Sequence, residues 1–181
     1  NYGISLASGE YVAFLDADDL WHPHKLHSQI EIFRNDSNLE LVLSSYIIFT
    51  QGQKSGFRVV RITNSIRAIE KWFYMRGFGG LIESTGLAKK SVLLDYGGFN
   101  ENLSLAAGLD LSLSFAEKKM IASTKTPYVF YRLSPGQFHK KKDVWVNDLQ
   151  LIVDRHLQTT VERKALNQSH ADYLFWSARK D

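Results

Sequence analysis

The segment 11–19, with the sequence YVAFLDADD, decides the fold of this chain. Its five apolar residues, 11–15, are typical of a short strand buried on both faces of a sheet. Asp16, Asp18 and Asp19 follow immediately. Because ligands bind at the carboxyl ends of strands in open α/β sheets, this acidic end is the first candidate for a functional site.

The acidic end has two interpretations from the residues alone. Three carboxylates within four residues repel one another unless solvent or a cation offsets their charge. Hard divalent cations such as Mg²⁺ and Mn²⁺ prefer oxygen ligands and often bridge to substrate phosphates. Alternatively, the segment is an acidic turn that caps a helix beginning near Pro23, since Asp is a favourable N-cap residue. A short D-x-D is common by chance, so both interpretations stay open at this point.

The rest of the chain alternates between strand-like and helix-like segments. After Pro23, the apolar residues Leu26, Ile30 and Phe33 repeat at helical spacing through about Arg34. Further strands are predicted at 39–49, 57–62, 83–88 and 128–131, and further helices at 66–73, 91–96, 109–119, 145–153 and about 160–177. This alternation predicts a layered α/β or α+β domain.

The composition narrows the class of protein. The chain has 181 residues, 44% of them hydrophobic and 23% charged, which suits one globular domain. A net charge of +3 is too small to argue for a nucleic-acid partner. The absence of cysteine excludes disulfides and cysteine-ligated metals. No apolar run approaches the roughly 20 residues that a membrane-spanning helix needs. The absence of cysteine fits a reducing compartment, so the expected location is cytoplasmic, with the inner face of the membrane as an alternative.

Three motifs together resemble those of one enzyme family. The first, NYGISLASGEYVAFLDADDLW at residues 1–21, closely resembles the pattern RNxGxxxAxGEYxxFLDxDDxW of family 2 (GT-A-type) glycosyltransferases. The second, GGFNE at 97–101, resembles the family's GGFDE segment, and the third, PYVFYR at 127–132, resembles its PxxxYR strand. The motifs occur in the family's order, and the resemblance covers about residues 1–137.

The resemblance implies an architecture. The expected fold class is α/β, a partial GT-A (Rossmann-like) mixed sheet flanked by helices, with C-terminal helices. Residues 1–137 would be the later part of the glycosyltransferase domain, beginning partway through the fold without its front nucleotide-binding strands, and residues 138–181 a helical extension. A sheet that lacks its first strands exposes unpaired edges, so a homo-oligomer that covers them is expected.

The resemblance also implies a reaction. A sugar would be transferred with inversion from a nucleotide-sugar, a UDP-sugar most of all, to the hydroxyl of a saccharide or lipid-linked acceptor, with surface polysaccharide as the product. By position, Asp16 and Asp18 form the D-x-D that binds the donor and Mg²⁺ or Mn²⁺. Glu83 precedes the GGF segment in the region where relatives bind acceptor, so it is the candidate acceptor-binding residue, with a simple surface acid as the alternative.

The sequence departs from the family pattern where the catalytic base is expected. Aligned without a gap, the family's Glu-Asp pair falls on Ala107 and Gly108, neither of which can accept a proton. Asp110 becomes the base only if the alignment shifts by two residues, which turns a side chain by about 200° around a helix. Asp110 is therefore the candidate catalytic residue, and an acid near a helix N-terminus is its alternative role.

Two other functions compete with this one. The replacement of the base pair favours a catalytically inactive remnant that acts as a binding or structural module. A nucleotidyltransferase would also use paired acids and a metal, but it would need a glycine-rich, basic phosphate loop, and the sequence contains none.

Overall fold

The computed structural model describes residues 1–50, 58–60, 83–117, 120–133 and 142–156. The helices are α1 (Tyr2–Leu6), α2 (Lys25–Asn35), α3 (Lys90–Asp95), α4 (Ala107–Glu117) and α5 (Lys142–His156). The strands are β1 (Tyr11–Ala13), β2 (Leu20–Trp21), β3 (Leu41–Thr50), β4 (Arg58–Val60), β5 (Gly86–Lys89) and β6 (Ile121–Leu133), and a 3₁₀ turn covers Glu83–Thr85.

The strands form one mixed sheet in the order β1-β5-β3-β6-β2, with β4 paired to β3. The long parallel pair β3–β6 runs from Leu41 opposite Ile121 to Thr50 opposite Leu133, and the other pairs are antiparallel. The predicted strand at 39–49 is thus confirmed as β3. The predicted strand at 128–131 is correct but too short, because β6 begins at Ile121.

The two faces of β3 are both covered. Val42 is fully buried in a cluster that includes Phe33 of α2, whereas Leu43 belongs to a cluster with Leu111 and Phe115 of α4. Successive strand residues point to opposite faces, so a continuous apolar run is what a doubly covered strand requires. The sheet therefore lies between helices, as an α/β fold predicts.

Several sequence predictions need correction. Strand β1 ends at Ala13 and its residues are only partly buried, because β5 is its one partner strand among the described residues. The predicted strand at 83–88 begins instead as the 3₁₀ turn and becomes a strand at Gly86. The helices predicted at 91–96, 109–119 and 145–153 correspond to α3, α4 and α5. The helices predicted at 66–73 and 160–177 lie outside the described residues, and the division at residue 137 stays a prediction.

Helix α2 turns a polar stripe toward the sheet. Its buried residues are Lys25, Gln29 and Phe33, whereas Leu26 of the predicted apolar stripe is 41% exposed. The Lys25 ammonium donates to Gln29 Oε1 (2.9 Å) and lies 4.1 Å from the centre of the Trp21 ring. Burial lowers the pKa of Lys25 to about 7. Gln29 Nε2 in turn donates to the carbonyls of Val42 (2.7 Å) and Thr85 (2.9 Å), which ties α2 to the sheet.

Helix α5 supplies the side chain that caps helix α4. One oxygen of the buried Asp148, on α5, accepts hydrogen bonds from the backbone N–H groups of Ser104, Leu105 and Ala106 at 2.9, 2.6 and 2.9 Å. These groups lie at the entry to α4, where N–H groups lack helical partners and attract negative charge. Asp148 therefore caps α4 from a neighbouring helix.

We predict that Gln29→Leu destabilises the protein by about 2–3 kcal/mol, because two buried carbonyls and the Lys25 ammonium lose a partner while the side-chain volume is kept. Chemical unfolding of the purified chain measures this. His27→Leu is the matched control, since His27 is exposed on the same helix. Equal stability of the two variants would contradict the proposed role of Gln29.

Candidate functional site

The acidic loop, defined as Asp16–Asp19, follows β1 and is held by hydrogen bonds from distant parts of the chain. The backbone N–H of Asp16 donates to Ser84 Oγ (3.0 Å). The backbone N–H of Arg132 donates to Asp19 Oδ1 (3.0 Å), and its Nε donates to the Asp18 carbonyl (2.8 Å). The loop is thus fixed by the 3₁₀ turn on one side and by the end of β6 on the other.

The carboxyl groups of the loop lie in a poorly solvated, negative environment. Asp19 is 4% exposed, and its Oδ2 is buried with no hydrogen-bond partner in the described ranges. Burial raises the pKa of Asp19, although the nearby Ser84 hydroxyl and the Arg132 N–H partly offset this. Asp16 is more exposed, but partial burial of its carboxyl group, and then the charge of Asp18, raise its pKa as well.

The hydroxyl of Tyr131, on β6, lies near the same group of carboxyl side chains. Burial raises the pKa of Tyr131, and the charges of Asp19, Asp18, Asp16 and Glu83 raise it further. Four carboxyl groups therefore lie close enough to the Tyr131 hydroxyl to disfavour its ionisation. Glu83 lies beside the acidic loop because the next residue, Ser84, is hydrogen-bonded to Asp16.

The oxygen-rich loop fits a hard divalent cation better than a softer metal. Asp16 and Asp18 are the two acids that would hold it, and the buried Oδ2 of Asp19, which has no hydrogen-bond partner among the described residues, lies in the same loop. Within the ranges that the structure describes, no three His, Cys, Asp or Glu residues are grouped as a metal site of their own. Magnesium is commonly bound by only one or two carboxylates together with substrate phosphates and water, so this donor set is compatible with it.

Glu83 links the acidic loop to α4. A Cβ placed on Gly108 would collide with the Glu83 carboxylate, so the two residues are in immediate contact. Glu83 also borders an apolar cavity of about 30 Å³ whose lining includes Phe14 and Phe115. The pKa of Glu83 is raised to about 7, mainly by burial and also by the charges of Asp16 and Asp19, although the backbone N–H groups of Glu83 and Gly108 act in the opposite direction. A carboxyl group with this pKa exchanges protons near neutral pH.

Asp110 lies on a different side of α4. It is 2% exposed, its Oδ2 is 2.5 Å from Arg155 Nη1 and its Oδ1 is 2.8 Å from His156 Nε2, both on α5. Gly108 faces Glu83, whereas Asp110 faces α5, as two positions about 200° apart on a helix must. The structure therefore brings Asp16, Asp18 and Glu83 together and directs Asp110 to a salt bridge with the neighbouring helix.

Two residues that support the acidic loop, Ser84 and Arg132, were not predicted as site residues from the sequence. Ser84 accepts from Asp16 through its hydroxyl and from the Trp21 indole N–H (2.8 Å) through its carbonyl. Arg132 contacts both Asp18 and Asp19. Arg132 is the last residue of the PYVFYR motif, and its position at the end of a predicted strand could have indicated a role at the site. Ser84 carried no signal, because only the tertiary fold brings it beside Asp16.

Comparison with known proteins identifies relatives of this arrangement. Residues 1–82 match the model of the family described as "Glycosyl transferase family 2". A glycosyltransferase of Rickettsia felis is 23% identical over 178 residues, which cover 97% of this chain and 29% of that protein. The amylovoran biosynthesis glycosyltransferase AmsB of Erwinia amylovora is 56% identical over 32 residues, which cover 18% of this chain and 11% of AmsB.

The fold has relatives among solved structures. The mannosyltransferase PcManGT from Pyrobaculum calidifontis, solved in complex with GDP-Man and Mn²⁺, superposes with a TM-score of 0.58 at 13% identity, covering 99% of this chain and 53% of that one. This likeness confirms the predicted partial GT-A, Rossmann-like α/β fold. The chain spans less than a third of the length of the curated relatives described above. In the described ranges, no helix combines the length and the apolar character that crossing a membrane requires.

We predict that Asp110→Asn destabilises the protein by roughly 2 kcal/mol, because it removes one partner of a buried ion pair whose Arg155 side chain is partly solvated. Thermal and chemical unfolding measure the loss. The exposed Asp143 of α5 offers the matched control Asp143→Asn, for which no loss is expected. Wild-type stability of Asp110→Asn would show that the pairing is not structural.

Proposed function

We propose that this chain, whose residues 1–82 match the model of glycosyl transferase family 2, transfers a sugar from a nucleotide-sugar donor to an acceptor hydroxyl. The observation that carries the proposal is the acidic loop, which presents Asp16 and Asp18 at the end of β1 and is fixed by Ser84 and Arg132. In this proposal Asp16 and Asp18 bind the donor diphosphate through Mg²⁺ or Mn²⁺. When bound, the cation would offset the charge of the departing diphosphate.

The protein's own residues then have separate tasks. Arg132 fixes the loop backbone through the Asp18 carbonyl, so that the two acids are held before the donor arrives. Asp19 supports the loop from within, because its Oδ1 accepts from the Arg132 N–H. Glu83 lies on the acceptor side, next to α4. Asp110 stays a sequence-based candidate for the catalytic base, in competition with its salt-bridge role.

The substrates are proposals of a finer kind. A UDP-sugar is the expected donor, although the structural relative PcManGT holds GDP-Man, so both nucleotides need testing. The likeness to AmsB, named for amylovoran biosynthesis, supports a saccharide or lipid-linked acceptor and a role in surface polysaccharide synthesis. The cytoplasmic location, with the inner face of the membrane as an alternative, stays a prediction.

A homo-oligomer is a separate proposal. The α1 side chains of Tyr2 and Leu6 are 78% and 65% exposed, and β1 pairs only with β5 within the part of the chain described. An apolar surface beside a strand edge favours association. Light scattering over a range of concentrations tests this, and a monomer throughout would contradict it.

The second candidate function is a catalytically inactive remnant that keeps the fold. It is favoured by Ala107 and Gly108, which stand where the resemblance predicts an acidic pair. Donor binding separates the two candidates only in part, since a remnant can retain it. Turnover decides between them.

We predict that UDP or GDP binds the chain in a Mn²⁺-dependent manner and that Asp18→Asn weakens this binding at least tenfold, because one charged oxygen ligand is lost. Isothermal titration calorimetry with each nucleotide, with and without Mn²⁺, measures it. Asp36→Asn, on the exposed end of α2, is the matched control. Absence of binding by UDP, GDP and dTDP alike would favour the remnant.

A further inference from the structure

Inverting transfer to a hydroxyl needs a group that takes the hydroxyl proton, and few described carboxyl groups near the acidic loop are free for that task. This inference rests on the proposed function. Asp16 and Asp18 are assigned there to the donor. Asp19 is buried, and its Oδ1 is already bonded to the Arg132 N–H. Two candidates remain, Asp110 and Glu83.

Asp110 is poorly arranged for proton transfer. Both of its oxygens are engaged, one by Arg155 and one by His156, and it is 2% exposed. A base must reach the reacting hydroxyl within hydrogen-bond distance, and a carboxylate that already contacts an arginine and a histidine must break one of these contacts to do so. Its direction, toward α5, also separates it from the acidic loop.

Glu83 has the arrangement that Asp110 lacks. It precedes Ser84, whose hydroxyl accepts from the N–H of Asp16, so it lies beside the proposed donor site. Its charge interactions with Asp16 and Asp19 support the same proximity. Its contacts on α4 are with Gly108, where the absence of a side chain leaves the space that the carboxylate fills.

We propose that Glu83 is the catalytic base and that position 108 is glycine because the Glu83 carboxylate occupies the space of its side chain. The acid is thus supplied to the first turn of α4 by the 3₁₀ turn, rather than by α4 itself. The acceptor oxygen forms a bond to the anomeric carbon, whose bond to the diphosphate oxygen breaks with its electron pair. The hydroxyl proton passes to a Glu83 oxygen and is later returned to solvent, so the nucleoside diphosphate and the glycoside are the products.

The first test compares Glu83→Gln with the wild type in two assays on the full chain. The probes are UDP-glucose and GDP-mannose with Mn²⁺ and water as the acceptor, with release of nucleoside diphosphate as the readout. Loss of a general base is expected to lower kcat by about 10²–10⁴-fold. Calorimetric binding of UDP or GDP should stay within about threefold, since glutamine keeps the size of the side chain.

The second test examines the contact with Gly108. Gly108→Ala should lower the melting temperature of the wild type, because the added methyl group collides with the carboxylate. The same substitution should be tolerated in a Glu83→Ala background, where the space is empty. A Gly108→Ala variant as stable as the wild type would overturn the spatial part of the proposal.

The outcomes separate this inference from the proposed function. Wild-type turnover by Glu83→Gln, with turnover lost in Asp110→Asn at retained nucleotide binding, overturns the assignment of Glu83 and leaves the glycosyltransferase function intact. Turnover lost in Glu83→Gln with nucleotide binding retained supports it. A wild-type chain that releases no nucleoside diphosphate from either sugar overturns the proposed function, and this inference with it, whether or not it binds nucleotide.

Discussion

The mutual repulsion of four carboxyl groups is the constraint on which the candidate site depends. Asp16, Asp18, Asp19 and Glu83 all act on the Tyr131 hydroxyl, so they share one end of the sheet. Such a cluster is stable only where donors are fixed around it. The backbone N–H of Arg132 donates to the Asp19 carboxyl group, and its Nε donates to the backbone carbonyl of Asp18. Arg132 reaches the loop because β6 runs parallel to β3 up to the same end of the sheet. The long β3–β6 pair is therefore a requirement of the site as well as the centre of the core.

The sequence was informative where local pattern and tertiary role coincide. The apolar run before Asp16 and the acids after it predicted both a strand and a site, because the end of a strand is where a sheet exposes polar groups to ligands. The pattern failed on α2, where Leu26 was expected inside and Lys25 and Gln29 are buried instead. A polar residue is buried only if the fold supplies hydrogen-bond partners for it. The carbonyls that accept hydrogen bonds from Gln29 belong to Val42 and Thr85, which lie 13 and 56 positions later in the chain.

The contact between Glu83 and Gly108 shows the same limit at the site itself. Nothing in the sequence connects a glycine on one helix with a glutamate 25 positions earlier, and only the folded chain brings the carboxylate against the glycine. Position 108 is glycine where the family motif has an acid, whereas in the folded chain the carboxylate of Glu83 contacts this position. Conversely, Asp110 has the expected residue type on α4, but its carboxylate contacts Arg155 and His156 of α5. Residue type and helical phase are separate requirements, and sequence supplies the first more readily than the second.

Helices α4 and α5 are joined by carboxylate contacts at two places, and these contacts restrict how the helices can move against each other. Asp148 holds the entry of α4, while Asp110 of α4 holds Arg155 and His156 near the end of α5. The two attachment points lie seven residues apart on α5, about 10 Å along its axis. Two anchors at that separation prevent α4 from rolling about its own axis, so the Gly108 N–H keeps its orientation toward Glu83. A displacement of α5 would therefore act, through α4, on the contact between Gly108 and Glu83.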